Sequence, residues 1–140
     1  TTQMRANMPQ LTSVVLKDRA TPTPVDHTFV KRDVRDGVGT VIETTGVPVG
    51  NSRLSVSARQ SLSGFYKPVL KLVIPVVVTE TINGVAMPKV IYTNSFEGTF
   101  TFSAFSTLEQ RNNLVGMVRD ALDPTKVLIN DTLVKLEAVY

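Results

Sequence analysis

The hydrophobic period of this chain changes once, and abruptly. Up to Ser103 apolar residues recur at every second position, whereas after Thr107 they recur at three- and four-residue steps, so strands precede helices. Along residues 53–60, Leu54, Val56 and Ala58 alternate with Arg53, Ser55, Ser57 and Arg59. The spacing predicts a half-buried strand with one cationic, hydroxylic side. The break Ser61-Leu62-Ser63-Gly64 turns it into residues 67–79, where Leu70, Leu72 and Ile74 oppose Lys67, Val69, Lys71 and Val73.

Turn residues divide the remainder. Residues 11–17 and 25–33, parted by a turn-rich stretch with Pro22 and Pro24, read as an N-terminal β-hairpin. Asp36-Gly37 leads into a strand over 38–44, and Gly46, Pro48 and Gly50 mark the loop after it. Asn83-Gly84 is a strong hairpin signal leading into residues 85–93, where Pro88 points to an edge or irregular section. Residues 95–103 form the last strand, with Phe96, Phe100 and Phe102 on one side and Ser95, Glu97, Thr99, Thr101 and Ser103 on the other. An aromatic stripe of this kind reads as core. Thr107 and Gln110 have capping-box spacing ahead of Leu114, Val115, Val118, Ala121 and Leu122. Asp123-Pro124 ends that helix and is placed to cap a second one bearing Val127, Leu128 and Leu133.

Strands followed by helices make an α+β fold, with helices on the apolar side of an antiparallel sheet and the other side open. A chain of 140 residues that is 42% hydrophobic suits one domain, residues 1–140, with one core. The longest mostly apolar run, residues 69–78, contains Lys71 and Pro75 and is too short to span a bilayer as a helix. Residues 1–10 show no apolar signal core, so an intracellular origin is expected. Two helices with apolar residues on more than one side exceed what one short sheet can cover, which points to a partner chain.

The residues offer little for catalysis. There is no cysteine, and His27 is the single histidine, read as an exposed strand residue rather than a metal ligand or triad member. Gly37-Val38-Gly39 lacks the third glycine or lysine of a phosphate-binding loop and reads as a turn. Asp18, Asp33 and Asp36 flank turns, where aspartate caps backbone groups. No enzyme, cofactor or metal is expected. Fifteen Lys and Arg against twelve Asp and Glu leave a net charge of +3, which becomes significant to RNA phosphates when many copies line one surface. Water-facing sheets commonly show the same serine and lysine pattern. Val69 and Val73, apolar residues within the polar side, favour a surface that packs against something.

The segment RLSVSARQSLSGFYKPVLKLVIP at 53–75 closely resembles the coat proteins of single-stranded RNA bacteriophages, the levivirus group. TETINGVAMP at 79–88 resembles that family's loop between its sixth and seventh strands, TFTFSAFST at 99–107 its last strand and helix start, and Tyr140 its usual chain end. The likeness is close over the later part of the chain and only in outline near the start. It implies an N-terminal hairpin, a five-stranded antiparallel sheet and two C-terminal helices that cross onto a partner, giving an intertwined dimer with a ten-stranded sheet. It further implies a capsid protein that self-assembles into an icosahedral shell in the host cytoplasm and resides in the virion. The inner sheet face would bind viral genomic RNA, and a dimer would repress translation by binding an RNA hairpin.

By position, the resemblance places RNA contacts at Arg53, Ser55, Ser57, Arg59, Lys67 and Lys71. A pocket for an unpaired adenine falls on Val38, Ser55, Ser57, Val69 and Lys71. Val69 departs from the family's frequent hydroxyl residue, removing a hydrogen bond worth on the order of 1 kcal/mol. Ser95 stands where relatives carry a base-stacking tyrosine, and Glu97 where they carry a base-contacting asparagine or acid. Glu97 would repel phosphate, which places it near a base edge or outside the footprint. An inter-dimer loop that changes conformation between symmetry axes is implied for Thr79, Glu80, Thr81, Ile82, Asn83, Gly84, Val85 and Pro88. An ordinary hairpin is the reading without the resemblance. Two other functions remain open: a small non-assembling RNA-binding regulator, and a structural β-protein with no nucleic-acid role.

Overall fold

The computed structural model describes residues 9–44, 46 and 48–140. The chain divides into two compact units, one ending at Thr101 and the other running from Phe102 to Tyr140.

The first unit is a six-stranded antiparallel meander. Its strands, β1 (Val14–Lys17), β2 (Asp26–Arg35), β3 (Val38–Glu43), β4 (Ser52–Ser57), β5 (Val69–Ile82) and β6 (Val85–Thr99), lie side by side in chain order. A short 3-10 turn, Pro48–Gly50, separates β3 from β4. Strand β2 serves twice. Its first residues pair with β1, Val14 facing Phe29 and Lys17 facing Asp26, and from Val30 onward it pairs with β3. The register shifts between Lys31 and Asp33, a β-bulge that bends the strand from one partner to the next. The hairpin and the five-stranded sheet expected from the sequence therefore share a strand: β2 to β6 form the five, and β1 adds a sixth.

The two expected strands at 85–93 and 95–103 are one strand, β6, which ends earlier, at Thr99. Asn94 does not break it, because Asn94 pairs with Ile74 inside the ladder; the register shift falls opposite Val76/Val77, where Ile91 of β6 is left without a paired residue. Pro88 sits on this edge strand opposite Thr79, a position that tolerates a residue without an N–H. Residues 79–88, a loop by the resemblance and an ordinary hairpin by the Asn83-Gly84 signal, are paired strand ends closing at Ile82 and Val85. Asn83 (φ 52°) and Gly84 (φ 78°) turn the chain between them, as Asp36 (φ 51°) and Gly37 (φ 77°) do between β2 and β3. Positive φ at both central residues matches the right-handed twist of the flanking strands.

Phe29, Val41 and Leu54, at 3%, 3% and 8% exposure, are the buried apolar core, and Leu11, Val14, Leu16 and Leu72 pack around them. Gly39 lies in β3, within the strand expected over 38–44 and beyond the Asp36-Gly37 turn. A Cβ there would stand 3.1 Å from Leu11 Cδ1, so its bare backbone allows Leu11 to approach the core. The aromatic stripe expected as core is not: Phe96 is 49% exposed, while Phe100 and Phe102 are half-buried. The physical reason is position. The buried cluster gathers on β2 to β4 beside the N-terminal hairpin, whereas Phe96 lies on the edge strand.

The second unit carries α1 (Leu108–Ala121) and α2 (Val127–Leu133). Thr107 caps α1 as its spacing predicts: the Gln110 N–H donates to Thr107 Oγ1 (3.2 Å), and the Thr107 N–H donates to Gln110 Oε1 (3.0 Å). Asp123 does not cap α2. Its Oδ1 accepts from the N–H and hydroxyl of Thr125 (2.9 and 2.7 Å), a local turn that delays the helix to Val127, after an N-cap Lys126 without a side-chain bond. No residue of either helix is buried. Among the described residues no helix is long and apolar enough to cross a membrane.

Candidate nucleic-acid interface

Directly paired residues in an antiparallel sheet project to the same side, so the strand register maps the polar face. One row runs Arg35, Val38, Ser57, Val69, Thr99; the next runs Asp33, Thr40, Ser55, Lys71, Glu97; a third contains Ile42, Arg53, Val73 and Ser95. The opposite side carries Val41, Leu54, Leu72 and Phe96. The alternation in the sequence thus becomes two chemically distinct surfaces.

Seven of the residues singled out from the sequence converge on one open groove of about 320 Å³: Val38, Ser55, Ser57, Arg59, Lys67, Val69 and Lys71. Arg53, Ser95 and Glu97 share the face but lie outside the groove lining. The strand ends Thr79 to Ile82 and Val85 to Pro88 are exposed at the far end of the β5–β6 hairpin.

The groove's chemistry is asymmetric. Its lining has three cations, two hydroxyls and two valines, and no carboxylate. Among the described residues, Arg53, Arg59, Lys67 and Lys71 make no ion pair with an acid. Arg59 Nη2 donates to the Asp36 carbonyl (2.7 Å), fixing its stem against the β2–β3 turn while leaving its charge uncompensated. The valines supply an apolar floor, the serines donor-acceptor groups, and the cations attraction for phosphate. Arg35 and Thr40 belong to the same face and were not singled out by sequence, and Thr99, expected on the polar side of the last strand, joins them. The signal for Arg35 was present, since a two-residue turn at Asp36-Gly37 obliges residue 35 to pair with Val38.

His27 differs from its expectation as a freely exposed strand residue. Its Nδ1 lies 2.7 Å from Glu43 Oε2 and its Nε2 lies 2.7 Å from Asp18 Oδ2. Asp18 Oδ1 also accepts the N–H groups of Ala20 (2.9 Å) and Val25 (2.8 Å). The backbone bond from Val25 and the bond from His27 lower Asp18 from 3.8 to about 2, and the bonds to Asp18 and Glu43 raise His27 above 6.5. This clasp ties the β1–β2 turn to β3. Among the described residues no group of three or more His, Asp or Glu side chains is arranged to hold a metal ion.

Antiparallel sheet, one-sided polar groove and two terminal helices together define the RNA-phage coat fold. The chain belongs to the levivirus coat protein family, whose model, described as "Levivirus coat protein", matches residues 9–140. It is 51% identical over 131 residues to the capsid protein of Pseudomonas phage PRR1, covering 94% of this chain and 99% of that one. Among solved structures, the virus-like particle of bacteriophage ESE058 superposes with a TM-score of 0.83 at 25% identity, over 94% of this chain and 100% of the other. The bacteriophage GA protein capsid gives a TM-score of 0.78 at 21% identity, over 93% and 98%.

Proposed function

We propose that this chain is a non-enzymatic capsid subunit that pairs with a second copy, assembles into an icosahedral shell and binds single-stranded viral RNA in the groove of its polar face. The observation that carries the RNA assignment is the convergence of Arg59, Lys67 and Lys71 with Ser55 and Ser57 around a groove that holds no carboxylate. Pairing is supported by what the single chain leaves open. Among the described residues the buried apolar core is three side chains, both helices lack a buried residue, and β6 is a 15-residue edge strand. A long unpaired edge is a template for another strand. A second copy joined there extends the sheet and supplies apolar surface for Val56, Leu70 and Phe96, all exposed in one chain.

The sheet unit and helical unit act as one coat domain in this reading, and the β5–β6 hairpin end from Thr79 to Pro88 is an inter-dimer contact. Binding of an RNA hairpin for translational repression would use the same groove, and the shell would form in the host cytoplasm. Expression in bacteria, followed by size-exclusion chromatography and electron microscopy, is expected to yield regular shells containing nuclease-protected RNA. Small soluble species that bind RNA would favour a non-assembling regulator instead.

A further inference from the structure

The groove stops at Val38 on β3, but the face does not. Arg35 pairs with Val38 across the Asp36-Gly37 turn, in the row that continues to Ser57 and Val69 in the groove. Two strand spacings, roughly 10 Å, separate Arg35 from Ser57, so the row outreaches a single phosphate. The Arg35 side chain is 82% exposed, and its Nε lies 3.2 Å from Asp33 Oδ2. Among the described residues its terminal nitrogens make no hydrogen bond, which leaves a guanidinium edge for an oxyanion. Arg59 donates to the carbonyl of Asp36, the residue after Arg35, so groove and turn are mechanically joined.

We propose that Arg35 is a further phosphate-binding residue, extending the groove across β3 onto β2 so that the face tracks a length of RNA backbone. The proposal rests on the reading of that face as RNA-binding. Asp33 has a definite part in it. Held between Arg35 and the bulged Arg32, whose Nε lies 4.0 Å away, its carboxylate orients the Arg35 stem and also competes with phosphate for the charge. Binding of RNA exchanges one anionic partner for another.

The test is a salt titration of the chain, residues 1–140, with labelled single-stranded polyuridine. Each phosphate neutralised on a single strand adds about 0.7 to the slope of log K against log salt. Arg35→Gln is expected to make the slope shallower by about that amount, Arg35→Lys to keep the slope of the unaltered chain, and Asp33→Asn to tighten binding at low salt. An unchanged slope in Arg35→Gln, alongside a shallower one in Arg59→Ala, overturns the assignment of Arg35 and leaves the groove reading intact. Equal losses in Arg35→Gln and Arg35→Lys also overturn it, because phosphate neutralisation needs only the charge. Absence of salt-dependent binding in the unaltered chain removes the groove reading itself. Circular dichroism melts verify that each variant folds, and Asp33→Asn tests the proposal without altering Arg35.

Discussion

The two ends of the sheet handle charge and apolar surface in opposite ways. At the hairpin end, Asp18, His27 and Glu43 satisfy one another, and Phe29, Val41 and Leu54 are closed over by Leu11, Val14 and Leu16. Toward β4 to β6, Arg59, Lys67 and Lys71 have no acidic partner among the described residues, and Leu70 and Phe96 stay exposed. Groups of the first kind hold the chain to itself. Under the proposed function, groups of the second kind are left for a partner, since an uncompensated cluster of cations repels itself and a polyanion neutralises it.

The sharpest way to break that contrast is to truncate one aromatic at each end. Phe29→Ala is expected to destabilise the isolated chain by about 3 to 5 kcal/mol, read by chemical denaturation. Phe96→Ala is expected to leave that unfolding nearly unchanged and to reduce the yield of assembled shells. Equal destabilisation by both would erase the distinction between the closed and open ends. On the polar side, combining Arg59→Ala with Lys71→Ala is expected to flatten the salt dependence of RNA binding by about 1.4, two phosphate contacts on a single strand, with little change in Tm. A large Tm loss would mean that these cations hold the sheet together.

The alternation over residues 53–57 and 69–73 assigns both faces, because a period of two admits only one partition of side chains; Arg59 and Lys67 lie beyond the ends of β4 and β5 and reach the groove from the connection between those strands. The capping of α1 was equally legible, being a local bond between Thr107 and Gln110. What sequence missed depended on residues far apart in the chain. The continuity of β6 through Asn94 is enforced by β5, and the clasp at His27 requires Asp18 and Glu43 to be brought together by two different strand pairings. Phe96 was misjudged as core because alternation tells which side a residue faces, not whether its own chain covers that side.

The clasp gives the closed end a pH signature. Two carboxylate oxygens 2.7 Å from the two ring nitrogens call for donors at both, which is the imidazolium form. Since the folded state raises His27 above 6.5, its contribution is complete below about pH 6.5 and is lost as pH rises through the raised value. Asp18, lowered from 3.8 to about 2, contributes fully above pH 3.8 and loses that contribution as pH falls toward 2. The difference in Tm between the unaltered chain and His27→Gln is therefore expected to be greatest between roughly pH 4 and 6.5 and to shrink on either side. A difference that grows toward alkaline pH would contradict a protonated clasp.

The smallest expected effect bears on what the open groove receives. Val69 lies between Ser57 and Thr99 in its row, half-buried, in a lining otherwise made of hydroxyls and cations apart from Val38. Val69→Thr keeps the branched shape and adds one hydroxyl. If a base edge reaches this point, the hydroxyl gains a hydrogen bond worth about 1 kcal/mol, or about fivefold in affinity, for an RNA hairpin carrying an unpaired base over a fully paired duplex. Ser57 and Thr99 offer the new hydroxyl neighbours within the protein as well, so a gain in Tm without any gain in discrimination would show that it bonds across the strands. In that case phosphate attraction from Arg59, Lys67 and Lys71 alone accounts for what the groove does.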